Sequence, residues 1–342
     1  MTYMKRKTFL SILVLLLVTS CYIPSEVVAT PIETPTPLVA LTPTDTPFPT
    51  PLPPELGLLE NPLILALPPA ANSQEQIDAA KVLAELFTQR TGYVVVTVVP
   101  DSASALVEAL ENGNAHIVVL DPLSYELAYQ QGLVNASYTV LQNGEAAYGA
   151  QFIAARKDGF KSYFDELSKT NFGEASEALA QFADKKPCWS DDISPSGYII
   201  PLGFLNQNQV ATRPAAFVQG HPTVVRSIYL GGICDFGATY VDARKFPSLE
   251  DQYPDLMEQV LVIWRIPDII PYAVLGFSTK MPQNMRDLFA NTIPAILQTT
   301  DGKAAFKTAY NIEEMLPVTD SYYDDFHAYI QASQVELSEL IK

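Results

Sequence analysis

The sequence predicts an α/β protein of two lobes with a ligand cleft between them. Three observations predict it. From Leu63 to Leu120, apolar strand-like runs alternate with amphipathic helical stretches in the order βαβαβ. A second run of the same kind occupies residues 187–240. Beyond it come two more apolar runs and then helical periodicity to the C-terminus, a segment expected to return to the first lobe. Alternation of this kind points to mostly parallel sheets with helices on both faces. Ligands of open α/β sheets bind beyond the carboxyl ends of the strands, so the inter-lobe cleft is the expected site.

The N-terminus reads as an export signal, residues 1–20. Lys5, Arg6 and Lys7 precede the apolar run Phe9–Val18, which Ser11 alone interrupts. At about 1.5 Å per residue the run spans roughly half a bilayer core, too little for a permanent membrane helix. Small residues and Cys21 follow, which resembles the lipobox of bacterial lipoproteins and implies lipidation of Cys21 on the outer face of the cell membrane. Residues 21–54 then form a Pro/Thr-rich tether, with ten of the 27 prolines between Pro24 and Pro54. Proline fixes φ and removes a donor, so this stretch is expected to be a semi-rigid spacer of about 3 Å per residue.

In the body, Leu63–Leu67 reads as a buried strand. Ser73 with Gln76 reads as a capping box for a helix that stops at Gly92. Tyr93–Val99 is β-branched and strand-like, Ser104–Leu110 a short helix ended by Asn112-Gly113, and His116–Leu120 a third strand. The second unit runs Pro187–Ser190 (strand), Ser196–Leu205 (helix), Ala215–Val218 (strand), Thr223–Leu230 (helix) and Asp235–Tyr240 (strand). Runs at Val260–Trp264 and Ala273–Phe277 precede helices over 284–297, 303–309 and 321–341. The expected division is lobe 1 from 55–153 plus 268–342, and lobe 2 from 154–267. Cys188 and Cys234 open the first and third strands of lobe 2. Those strands are neighbours in a doubly wound order, so a disulfide is expected in an exported protein.

Five stretches resemble one family, in its order and spacing. They are Asp101–Tyr125, with its Asn112-Gly113 and the strand ending in Asp121-Pro-Leu-Ser-Tyr125; Ser194-Pro-Ser-Gly-Tyr198; Gly220-His221; Asp235–Asp242; and Trp264–Pro271. The resemblance is to phosphate/phosphite/phosphonate-type ABC-transporter substrate-binding proteins. It implies the type II periplasmic-binding-protein architecture, an extracytoplasmic receptor for a small oxyanion, an ABC permease as partner, a monomer, no cofactor and no enzymatic activity.

The residues themselves support an anion site. Ser194 and Ser196 flank a helix start, Pro195 suits its first turn, and Gly197 permits close approach, so hydroxyls and free N–H groups converge. The resemblance implies further ligand contacts from Tyr148, from His221, and from Asp242 as acceptor of a ligand proton or ammonium. Asp121, Ser124 and Tyr125 lie at a strand's carboxyl end facing the same cleft. Ser102 and Tyr272 stand at positions where the family has a ligand tyrosine and an aspartate, respectively. Pro195 replaces a threonine.

The excluded classes follow from charge and motif. The formal net charge is −17, and removal of the three signal basics takes it to −20, which disfavours nucleic acid. The sequence has no G-x-x-x-x-G-K-[ST], H-E-x-x-H, G-x-S-x-G or C-x-x-C. A hydrolytic triad of Ser196, His221 and Asp242, or a receptor feeding a membrane sensor, are the alternatives the sequence leaves open.

Overall fold

The computed structural model describes residues 54–69, 71 and 73–342. The expected signal, Cys21 and nearly all of the tether lie outside the described residues. Among those residues, no helix is long and apolar enough to cross a membrane.

The strands, in chain order, are β1 (Leu63–Ala66), β2 (Val95–Val98), β3 (Ile117–Leu120), β4 (Val134–Leu141), β5 (Ala147–Ala155), β6 (Phe164–Asp165), β7 (Thr170–Asn171), β8 (Pro187–Trp189), β9 (Ala216–Phe217), β10 (Phe236–Tyr240), β11 (Val260–Pro271), β12 (Val274–Ser278) and β13 (Glu314–Pro317). The helices are α1 (Gln74–Thr91), α2 (Ala103–Asn112), α3 (Pro122–Gln130), α4 (Ala175–Ala180), α5 (Ile200–Gln207), α6 (His221–Leu230), α7 (Pro247–Gln252), α8 (Leu256–Gln259), α9 (Gln283–Leu297), α10 (Thr300–Tyr310), α11 (Asp324–Ser333) and α12 (Leu337–Leu340).

Two sheets carry the body, ordered β13-β4-β12-β3-β1-β2 and β11-β5-β10-β8-β9. Both are mixed rather than mostly parallel. β1 runs parallel to β2 and β3, and β8 to β9 and β10. By contrast, β12 and β13 pair antiparallel in the first sheet, as β5 does in the second. The chain changes sheet twice, from β4 to β5 through residues 142–146 and from β11 to β12 through residues 272–273. These changes of sheet bracket the expected lobe 2 from outside: the divisions at 153/154 and 267/268 fall inside β5 and β11.

Local chemistry explains the elements. The Ser73 hydroxyl accepts the Gln76 N–H at 3.1 Å, and Gly92 closes α1 at φ 79°. Between them Ala80, Leu83, Ala84 and Phe87 bury one face. Each large side chain so buried contributes about 1.5–3 kcal/mol. With α9 and α10 this face forms the core on one side of the first sheet. A smaller core lies between the second sheet and α6 to α8, and the largest cluster draws on both sheets and on α3, α5 and α11.

The single C-terminal helix expected over 321–341 is broken. A 3₁₀ turn (Asp320–Tyr323) precedes α11, and Gln334 adopts φ 59°, separating α11 from α12. That break lets α11 serve both halves. Tyr329 stacks on Phe204 of α5 with ring centroids 3.8 Å apart, while His327 pairs with the buried Glu126 of α3. Cys188 and Cys234 form a disulfide, Cα to Cα 5.6 Å, because β8 and β10 are adjacent and parallel.

Candidate ligand-binding site

Several chain segments end at one cleft of about 550 Å³. The first sheet contributes Asp121, Pro122 and Leu123, where β3 turns into α3. The second contributes Ser196 after β8, His221 after β9, and Tyr240 and Val241 at the end of β10. Tyr148 and Tyr272 enter where β5 begins and β11 ends, beside the two changes of sheet. Tyr148 therefore belongs to the second sheet, in place of the expected first lobe.

The turn after β8 is built for close approach. Pro195–Ile199 makes a five-residue π turn, continued by α5, with Ser194 as its N-cap. The Ser194 hydroxyl accepts the Gly197 N–H at 3.0 Å, so both groups are spent on the turn itself. Ser196 is left to face the cleft. Gly197 cannot carry a side chain: a Cβ there would lie 1.9 Å from Ser190 Oγ and 2.9 Å from His221 Cε1. Ser190 is fully buried with its hydroxyl unpartnered, and its place at a strand's end is the one signal that points to it.

His221 is the first residue of α6, following Gly220 at φ 88°, a backbone region that favours glycine. Its Nδ1 accepts the Tyr240 N–H at 3.3 Å. Burial depresses its pKa to about 4, and Asp191 opposes that shift. The ring is thus neutral at pH 7 with its proton on Nε2, a donor without net charge.

The tyrosine rings of 148 and 272 stack at 5.2 Å and 29°. Burial pushes the Tyr148 phenol up to about 12, against a lowering hydrogen bond with Ser196. Tyr272 is raised by burial and then by Asp268 and Glu145. Both phenols are therefore neutral donors.

Other expected positions serve different partners. The Ser102 hydroxyl caps α2 and meets Ser104. Ser124 donates to Asp121 and is buried, and Tyr125 donates to Asp320 at 2.9 Å with no surface exposed. Asp242 accepts from Gln151 Nε2 at 2.8 Å and from Arg244 Nε at 2.9 Å and Nη2 at 2.8 Å. Those bonds hold its carboxyl below the usual range despite burial, and it does not line the cleft. Since His221 Nδ1 faces a backbone amide, Ser196, His221 and Asp242 form no triad. Tyr240, Leu123 and Ile193 line the cleft without having been expected there; strand ends and a first helical turn are the signals that point to them. Among the described residues, no group of His, Cys, Asp and Glu could hold a metal.

Residues 65–323 match the family described as ABC transporter, phosphonate, periplasmic substrate-binding protein. The phosphate-import protein PhnD of Mycolicibacterium smegmatis is 24% identical over 280 residues, covering 77% of this chain and 83% of the relative. XAC2383 from Xanthomonas citri, solved with ATP and again with chloride, superposes with a TM-score of 0.58 at 15% identity, covering 80% of this chain and 98% of its own. That likeness shows the type II periplasmic-binding-protein fold. The family match spans most of the chain, and the protein belongs to the phosphonate family of periplasmic substrate-binding proteins of ABC transporters.

Proposed function

We propose that this chain is the extracytoplasmic receptor of an ABC importer, lipid-anchored at Cys21, which captures a small phosphate-, phosphite- or phosphonate-type oxyanion. The observation that carries the reading is the convergence of neutral donors at one cleft between two sheets: Ser196 Oγ, His221 Nε2 and the Tyr148 phenol. The name of the M. smegmatis relative, a phosphate-import protein, agrees with it. Tetrahedral oxyanions are well served by aimed dipoles in a partly dry site, without a full counter-charge.

Capture works by closure. The second sheet carries the donors, and the first brings Asp121, Pro122 and Leu123 over them. Ligand stabilises the closed form because that form alone makes both sets of contacts. The closed form is then the one that docks on the permease.

The test is calorimetry on the full chain with phosphate, phosphite, alkyl- and aminoalkylphosphonates, with sulfate and a neutral sugar as controls. At least one phosphorus oxyanion binds, and Ser196→Ala and His221→Ala each weaken it about tenfold, the loss of a hydrogen bond to a charged group. Binding that survives both substitutions, or that is confined to the controls, refutes the reading.

A further inference from the structure

A second cavity of about 550 Å³ lies apart from the cleft, beside the far end of α3. Glu126, Tyr129 and Gln130 of α3 form one wall. His327, Ile330 and Gln331 of α11 form the other, and the link from Gln334 to Glu336 completes the lining. The wall from α11 is fixed to α5 of the second sheet's half. Tyr329 stacks on Phe204, Asn206 Nδ2 donates to the Ala332 carbonyl at 2.9 Å, and a Cβ on Gly203 would lie 2.1 Å from the Tyr329 carbonyl oxygen. The cavity is thus bounded by one helix of the first half and one held on the second.

One wall carries a polar atom without a partner. The His327 ring lies flat on Tyr129, centroids 4.0 Å apart at 9°, and turns Nδ1 to the carboxylate of Glu126. Glu126 is buried, and its other oxygen accepts Gln130 Nε2 at 2.7 Å. A carboxylate only accepts, so Nδ1 carries the proton and Nε2 of the neutral ring is an acceptor. Nε2 is buried and has no hydrogen-bond partner. An acceptor left bare inside a protein is destabilising, and a donor in the adjoining cavity would satisfy it.

The fixed charges select the sign of that donor. Among the described residues, the lining includes two carboxylates, Glu126 and Glu336, and neither Lys nor Arg. Glu126 is engaged by His327 and Gln130, whereas Glu336 is exposed and takes the Ser338 hydroxyl on Oε1 at 2.8 Å. The helices α3 and α11 both end here, at Gln130 and Ser333, and the carbonyl end of a helix favours cations. A guanidinium meets these demands together: it is planar, it only donates, and it stacks on aromatic faces such as Tyr129.

We propose that this cavity is a second binding site, for a small organic cation of guanidinium type, with a ligand N–H donating to His327 Nε2 and the positive charge held by Glu336. Neither contact involves Ser196, His221 or Tyr148, so the site does not depend on the oxyanion reading.

Calorimetry on the full chain uses agmatine, a guanidinium with an ammonium at its other end, and 1,4-butanediol as an uncharged control. Salt at about 150 mM screens the general field of the acidic surface. Wild type is compared with Glu336→Lys, His327→Phe and Glu85→Lys; Glu85 is an exposed carboxylate on α1 that does not line this cavity. His327→Phe keeps a ring against Tyr129 and removes both nitrogens, and a thermal melt checks that it folds. If it does not, Glu336→Lys, at an exposed position, carries the test alone. Agmatine binds wild type saturably and the diol does not. Glu336→Lys weakens agmatine at least tenfold and His327→Phe at least fivefold, while Glu85→Lys changes it less than twofold. Absence of saturable agmatine binding to wild type overturns the proposal. So does equal weakening by Glu336→Lys and Glu85→Lys, the mark of a general attraction to an acidic surface, or unchanged binding in a folded His327→Phe.

Discussion

The His221 imidazole stands edge-on to Tyr240, ring centroids 4.7 Å apart at 71°, and takes that residue's backbone N–H on Nδ1. The pairing chooses the tautomer and aims Nε2–H away from the strand. His116 is held in a similar way: its Nδ1 accepts the Ile64 N–H at 3.1 Å, and burial, with Lys280 adding, lowers its pKa to about 4.

A pH dependence follows. Both folded pKa values lie below the ordinary 6.5, so the unfolded chain takes up protons first as pH falls. Stability is full above pH 6.5 and declines toward pH 4, by up to about 3 kcal/mol per histidine. Urea melts at pH 7.5, 5.5 and 4.5 measure this, and His116→Asn should flatten the slope. Ligand affinity through Nε2–H, corrected for the titration of the oxyanion itself, should stay level from pH 8 to about 5. A corrected affinity that falls as pH rises through about 6.5 would show that His221 binds as a cation.

Gly197→Ala should damage stability and binding together. Its methyl would collide with Ser190 Oγ and press on His221. Overpacking of this kind costs about 1–3 kcal/mol. Denaturant melts should show that loss, and calorimetry a ligand affinity reduced at least tenfold. Gly144→Ala, at a turn where a Cβ meets nothing within 4 Å but φ is 83°, should cost stability and leave binding alone.

Tyr148→Phe separates the ring from its hydroxyl. The ring keeps its stack on Tyr272, so the cost to folding should be limited to the lost hydrogen bond with Ser196, about 0.5–1.5 kcal/mol. Loss of the phenol should weaken an oxyanion by about 1.5–3 kcal/mol, tenfold or more. An unchanged affinity would remove Tyr148 from the site.

Replacing Cys188 and Cys234 by Ala should lower stability by about 2–4 kcal/mol, since the bridge closes a sequence separation of 46. Thiol titration of the unfolded, unreduced wild type should find no free thiol from this pair. Two free thiols would contradict the bridge.

Much of the fold was legible because its signals are local. The Ser73–Gln76 box, Gly92 and the strand at Leu63 obey rules that act within a few residues. The disulfide was legible from strand adjacency together with the expected export. The antiparallel pairing was not: β4 and β5 went unread, and their partners, β12 and β13 for β4 and β10 and β11 for β5, lie about 80 to 180 residues away in sequence. Site residues split along the same line. Ser196 and His221 begin helices at strand ends, a pattern visible in sequence. Asp242 lost its expected role to Arg244, two residues on, across a turn whose geometry no spacing rule foretells. Ser102 and Ser194 proved to be helix caps, since a serine before a helix satisfies backbone donors first.

The bridge between β8 and β10 leaves the two jaws of the cleft unlike one another. One jaw, carrying Ser196 and His221, is cross-linked just behind its donors. The other, carrying Asp121, has no covalent tie among its strands and holds its shape by packing and by Asp320, which gathers Tyr125, Asn135 and Ala136. Reduction would therefore act first on the jaw that carries Ser196 and His221 and leave the packing around Asp121 as it is.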